Sequence, residues 1–121
     1  PALNETSLNR SQARRVFDEL VDAIERMLGL GVIHADLSAY NVLFWDDRPV
    51  IIDFPQAVNP WQNKEAWDIF ARDVTRICQH FTKYGIHTNP IQMARSMWDR
   101  QSPTPPMDAL AIEREEAGEQ I

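Results

Sequence analysis

One stretch constrains this chain more than any other, residues 32–56, V-I-H-A-D-L-S-A-Y-N-V-L-F-W-D-D-R-P-V-I-I-D-F-P-Q. It holds an H-x-D-x-x-x-x-N segment (His34, Asp36, Asn41), two apolar runs about a turn, and a further acid, Asp53, closing the second run. Residues 42–45 read as a strand, 46–49 as a turn and 50–52 as the return strand. Pro49 is tolerated at the start of a strand because it loses only an edge hydrogen bond. Such a hairpin brings Asn41 and Asp53 to the same end, with Asp36 on the loop just upstream. Small hard cations take oxygen ligands, commonly one or two carboxylates with waters and phosphate oxygens. The residue types therefore suit a divalent cation bound to polyphosphate. Asn41 and Asp53 are its candidate ligands, and Asp36 is placed to accept a hydrogen bond from an incoming hydroxyl or water.

Taken alone, three fixed positions arise often by chance, and an Asp in a loop is commonly a turn former. The ordered set around them carries the weight. Upstream, Ala13, Val16, Phe17, Leu20, Ile24, Met27 and Leu28 recur at spacings of three and four, one stripe of an amphipathic helix of about five turns. Asn9 or Ser11 can cap it, and Gly29 and Gly31 supply its stop. Residues 1–8 are polar and unpatterned, an extended lead-in. The two hairpin strands are apolar nearly throughout, which predicts cover on both faces.

Downstream of Asp53, Pro55, Asn59 and Pro60 break the chain. A second helix is expected over about 64–84, with Phe70, Val74, Ile77, Cys78 and Phe81 on one face and Gly85 ending it. Asn89-Pro90 opens a third helix to about residue 100. Asp73 falls inside the second helix's apolar stripe, where a charge is costly unless hydrogen-bonded. It is expected to accept backbone N–H groups from the Asp36 loop and hold that loop rigid. The alternative is a partly exposed partner for Arg72 or Arg76. Trp61 and Trp67 are expected to pack rather than to form a docking surface.

The formal charge is -6, and residues 102–121 hold five acids (Asp108, Glu113, Glu115, Glu116, Glu119) against Arg114 alone. That segment is expected to be a flexible acidic tail, with the domain occupying 1–101. The acidic balance argues against DNA and against non-specific phosphate-backbone binding. Cys78 is the only cysteine, so no internal disulfide exists, and the bland reading is a small buried hydrophobe in a reducing compartment. No apolar run approaches the roughly 20 residues that span a bilayer, and the first residues lack signal-peptide character, so a cytoplasmic location and no membrane partner are expected. The start at Pro1 rather than Met reads as a processed product or a fragment.

The motifs as they stand resemble the RIO family of atypical protein kinases, whose pattern is HGDLSxYN followed by IDFPQ. Here it runs His34-Ala35-Asp36-Leu37-Ser38-Ala39-Tyr40-Asn41 and Ile52-Asp53-Phe54-Pro55-Gln56, and Arg72-Asp73-Val74-Thr75-Arg76-Ile77 resembles the family's RDVxxI helix. Ser38, Tyr40 and Phe54-Pro55-Gln56 separate this pattern from ordinary kinases, which carry Asp-Phe-Gly. The resemblance implies an α+β, mostly helical fold, a kinase-like C-lobe with a small β-hairpin beside the catalytic loop. It implies a serine/threonine kinase or ATPase using Mg²⁺ and ATP. Asp36 would be the catalytic aspartate, Asn41 and Asp53 the metal ligands, and Ser38, Asn41 and Asp53 the cofactor-binding group. His34 and Asp73 would order the loop, and Asp53 is also a candidate transient phosphate acceptor. A partner on the small ribosomal subunit follows from the resemblance alone.

Two departures stand out. Ala35 occupies the position of the pattern's Gly, so a positive φ there would be strained by about 1 kcal/mol. The chain also shows no Gly-rich phosphate loop and no V-A-I-K-like strand, and its first lysine is Lys64. The expectation is a C-lobe without its N-lobe, inactive alone, with an apolar face covered by that lobe or by self-association. Two other readings remain open. One is a small-molecule phosphotransferase of the aminoglycoside or choline kinase type, against which Phe54-Pro55-Gln56 argues. The other is a non-catalytic binding module that keeps the kinase architecture.

Overall fold

A computed structural model describes residues 1–53 and 58–102. The motif residues Phe54, Pro55 and Gln56 and the acidic segment from 103 onward lie outside the described residues. In chain order the elements are helix α1 (Arg10–Gly29), strands β1 (Val42–Trp45) and β2 (Arg48–Ile51), helix α2 (Ala66–Phe81) and helix α3 (Pro90–Gln101). The fold is thus mostly helical with one antiparallel hairpin, as the sequence predicts.

Asn9 starts α1 with a reciprocal cap. Its Oδ1 accepts the Gln12 amide at 2.8 Å, and Gln12 Oε1 accepts the Asn9 amide at 3.0 Å. The expected stripe is buried through Ala13, Val16, Phe17, Leu20, Ile24 and Leu28. Leu30 caps the C-terminal end of the helix, and Gly31 then takes the left-handed turn at φ +85. Gly29 is the last residue of α1, and a Cβ there would press on the flexible end of the Gln101 side chain, which would have to shift. Helix α2 begins later and ends earlier than expected. Asn63 Oδ1 accepts the Glu65 amide at 2.8 Å before it, and the 64–84 span closes instead with a 3-10 turn, Thr82–Tyr84, running into Gly85 at φ +80. Asn89 caps α3 by accepting the Gln92 amide at 3.1 Å.

The core lies among the three helices. Phe17 of α1 meets Phe81 of α2 edge-on with centroids 5.2 Å apart. Trp98 of α3 gathers Trp61 (5.0 Å), Trp67 (5.5 Å) and Phe70 (5.8 Å), which accounts for both tryptophans as packing. Cys78 is buried with a free thiol.

Two expectations change. Residues 1–8 are not a loose lead-in. Pro1 and Ala2 lie along β1, with the Phe44 amide donating to the Pro1 carbonyl at 2.8 Å, and Leu3 is fully buried. A 3-10 turn, Leu3–Glu5, then carries the chain on, and the Asn4 amide donates to the Ala39 carbonyl at 3.1 Å. So short a segment has no periodicity to announce burial; two leucines, Leu3 and Leu8, do the anchoring. The hairpin is also not covered on both faces. Register pairs Val42 with Ile51 and Leu43 with Val50, and Val42 is buried while Val50 and Trp45 are 43% and 69% exposed. Alternation sends successive side chains to opposite faces, and only one face has α1 behind it.

Because Leu3 fills a core site, Leu3→Ala is expected to lower unfolding stability by about 2–4 kcal/mol in urea titrations. A disordered lead-in would give no change. His80 packs against Phe81 and Tyr84, and its buried Nε2 has no partner among the described residues. Burial, and then the nearby Lys83 charge, pushes its pKa from 6.5 to about 4. The unfolded state therefore binds the proton first, so this contribution is complete above pH 6.5 and is lost as pH falls towards 4. Denaturation midpoints should fall across that window, and His80→Leu should flatten the fall.

Candidate active site

The loop of residues 34–41 joins α1 to β1 and is fixed chiefly from α2. An isolated bridge between Ile33 and Val58 closes its entry, with N–O distances of 2.9 and 3.0 Å. His34 follows, 2% exposed. Its Nδ1 accepts the Asp36 amide at 3.2 Å, which makes Nε2 the protonated nitrogen, donating to the Ile52 carbonyl at 2.8 Å. The imidazole thus spans from the loop to the residue preceding Asp53.

Ala35 adopts φ +79, the left-handed conformation that a Cβ disfavours. Contacts from α2 hold it there. The Ala35 amide donates to Asp73 Oδ2 at 2.7 Å, its carbonyl accepts from Arg72 Nη2, and the Leu37 amide donates to Asp73 Oδ1 at 3.0 Å. Leu37 itself is buried in the core. With its neighbours held on both sides, Asp36 projects outward with its side chain 63% exposed, and Arg76 Nη1 approaches its Oδ1 at 3.3 Å.

The far end of the loop is a tight turn. Ser38 Oγ donates to Asn41 Oδ1 at 2.8 Å and accepts the Tyr40 amide at 3.2 Å. The Asn41 carbonyl accepts the Ile52 amide at 2.8 Å, which extends the β1–β2 ladder by one step. Asn41 therefore opposes Ile52, and Asp53 comes next, exposed and at φ +70. Asp36, Ser38, Asn41 and Asp53 all belong to the two strand-end segments that this ladder and His34 join. The side-chain donors of that group are oxygens, a carboxylate and an amide at the strand ends with a hydroxyl beside them, the donor type that suits a hard divalent cation. Among the described residues no cluster of three or more His, Cys, Asp or Glu side chains forms a protein-only metal cage.

Asp73 is 1% exposed. Burial raises its carboxyl pKa above the ordinary value, while the Leu37 and Ala35 amides and the neighbouring His34 and Arg72 pull it down. Because the shift is upward, this group's contribution to stability is present below pH 3.8 and is lost as pH rises through its raised pKa. The two loop amides that donate to this carboxyl group offset part of the cost of burying it. Sequence reasoning missed the targets of Arg72 and Arg76. Proximity along the helix offers both as partners of Asp73, yet both reach past it to the loop. The signal available was their spacing: Arg72, Asp73 and Arg76 share one side of α2 within about one turn.

A model of the RIO domain family matches residues 1–94. The RIO-type serine/threonine-protein kinase Rio1 of Thermoplasma acidophilum is 36% identical over 75 residues, 62% of this chain and 39% of that protein. The RIO-type serine/threonine-protein kinase Rio2 of Methanocaldococcus jannaschii is 31% identical over 80 residues, 65% of this chain and 29% of that protein. This chain thus aligns with well under half the length of either relative. A crystal structure described as a Rio2 kinase–ADP/Mg²⁺–phosphoaspartate complex from Chaetomium thermophilum has a similar fold, with a TM-score of 0.63 at 19% identity over 97% of this chain and 43% of that one.

Replacing Asp73 with Ala leaves the Ala35 and Leu37 amides without their acceptor in a buried setting. The expected loss is about 2–4 kcal/mol in chemical denaturation, since each orphaned buried donor costs about 1–3 kcal/mol. Asp73→Asn, which keeps one acceptor oxygen, should lose less. Equal losses from the two variants would mean that the amides find other partners.

Proposed function

The chain belongs to the RIO domain family, and on that premise we propose that it is the C-terminal catalytic lobe of a RIO-type serine/threonine kinase or ATPase carrying out Mg-ATP-dependent phosphoryl transfer. The observation that carries this reading is the presentation of Asp36. Its flanking amides are tied to a buried carboxylate, and its own carboxylate stands exposed on the loop that leads to Asn41 and Asp53. Phosphoryl transfer asks little covalent help of a protein and much positioning and charge neutralisation.

In this reading Asp36 accepts a hydrogen bond from the attacking hydroxyl or water and aligns it. Asn41 and Asp53 would hold Mg²⁺, which supplies neutralisation of the phosphate charge when bound. Ser38 orients the Asn41 amide through its 2.8 Å hydrogen bond. His34 keeps the Asp36 loop and the strand end before Asp53 in fixed relation. Asp53 is also the candidate to accept phosphate transiently, a reading encouraged by the phosphoaspartate in the description of the Chaetomium thermophilum complex. With no Gly-rich loop and no lysine before Lys64, these residues alone should bind ATP weakly. Cover of an apolar face by further kinase chain or by self-association is part of this reading, and the exposed Trp45 and Val50 on the outer hairpin face are candidates for it. No described helix is long and apolar enough to cross a membrane. A cytoplasmic setting and a small-subunit ribosomal partner remain inferences from the family.

Two measurements on the protein in its complete natural length test the proposal. Nucleotide binding should require Mg²⁺, and Asp36→Asn should preserve that binding while lowering turnover by about 10²–10⁴-fold, the usual weight of a positioned general base. Turnover unchanged by Asp36→Asn would point instead to a binding module in which Asp36 is structural.

A further inference from the structure

The contacts between α2 and the loop form a series. Arg72 reaches the Ala35 carbonyl, Asp73 takes the Ala35 and Leu37 amides, and Arg76 reaches the Asp36 carboxylate. Three side chains within about one helical turn thus hold three consecutive loop residues. The first two contacts fix backbone. The third is the only one of the series made to a side chain, and that side chain is the proposed catalytic one.

Arg76 Nη1 lies 3.3 Å from Asp36 Oδ1, with the two side chains 41% and 63% exposed. An exposed ion pair of this kind adds little to stability and is screened by salt. Its consequence here is geometric. With the backbone at 35 and 37 fixed, the remaining freedom of Asp36 is its side-chain torsions. A guanidinium on Oδ1 restricts them and leaves Oδ2 outside that contact, on a side chain that is mostly exposed. The planar, rigid donor set of arginine suits this, whereas a lysine would supply only a mobile point charge.

We infer that Arg76 is a positioning residue for Asp36: it holds Oδ1 so that Oδ2 is presented to the attacking hydroxyl or water. This rests on the reading of Asp36 given above. It adds that the α2 arginine, acting through its contact with Asp36, sets the rate of the transfer step without setting nucleotide affinity.

The test compares the natural full-length protein with its Arg76→Ala, Arg76→Lys and Asp36→Asn variants, measuring Mg²⁺-dependent ATP affinity, KM, kcat and the salt dependence of kcat. The expected result is a kcat about fivefold lower for Arg76→Ala, the upper end of what an exposed ion pair supplies, with ATP affinity unchanged. Arg76→Lys should recover part of the loss. Raising salt to about 1 M, where the Debye length is about 3 Å, should bring wild-type kcat down towards that of Arg76→Ala and leave the variant flat. Arg76→Ala with wild-type kcat, beside an inactive Asp36→Asn, would overturn this inference and leave the proposed function intact. Loss of ATP affinity together with kcat and melting temperature in Arg76→Ala would also overturn it, making Arg76 a structural prop. Full turnover in Asp36→Asn would remove the proposed function and this inference with it.

Discussion

The structure depends on one buried carboxylate. Asp73 sits in the apolar stripe of α2, 1% exposed, and spends both oxygens on the amides of Ala35 and Leu37. Burial raises its pKa, so the carboxyl group is not placed there for the sake of its charge. It is there because two buried amides, two residues apart, need acceptors, and one carboxylate can serve both. The same contact holds Ala35 at φ +79, a conformation that the residue would not choose alone. Without it, the loop has no reason to put Asp36 outward.

A second tie completes the arrangement. His34 connects the loop backbone, through the Asp36 amide, to the Ile52 carbonyl at the end of β2. The loop is therefore referenced to α2 on one side and to the hairpin on the other. Asn41 and Asp53 enter the same frame because the ladder runs one step past the strands, from the Asn41 carbonyl to the Ile52 amide. Asp36 is held by Arg76 and its flanking amides by Asp73, both residues of α2. That order of support is what phosphoryl transfer asks of a protein.

What could be read from the sequence was what repeats or is local. The α1 stripe, the Asn9 and Asn89 caps and the hairpin all follow from spacing or from residues a few positions apart, and the family pattern spans contiguous stretches. Asp73 also announced itself, because a charge in an apolar stripe demands a partner. What could not be read was set by contacts distant in sequence. Leu3 is buried because α1 returns the chain beside β1, and nothing within the first eight residues says so. Arg72 and Arg76 carry the same charge on the same helix side, and which loop atom each meets depends on tertiary placement. The outward exposure of Trp45 and Val50 likewise reflects which hairpin face α1 happens to back, not the apolar character of the strands.

The most direct measurement is hydrogen exchange at single amides of the natural protein, read by NMR. If Asp73 organises the loop, the Ala35 and Leu37 amides should exchange slowly, at rates close to those of the buried amides of α2. The amide of the exposed Tyr40, which donates to the Ser38 hydroxyl, should exchange far faster. Ala35 and Leu37 exchanging as fast as Tyr40 would mean that the carboxylate does not hold the loop, and the placement of Asp36 would need another cause.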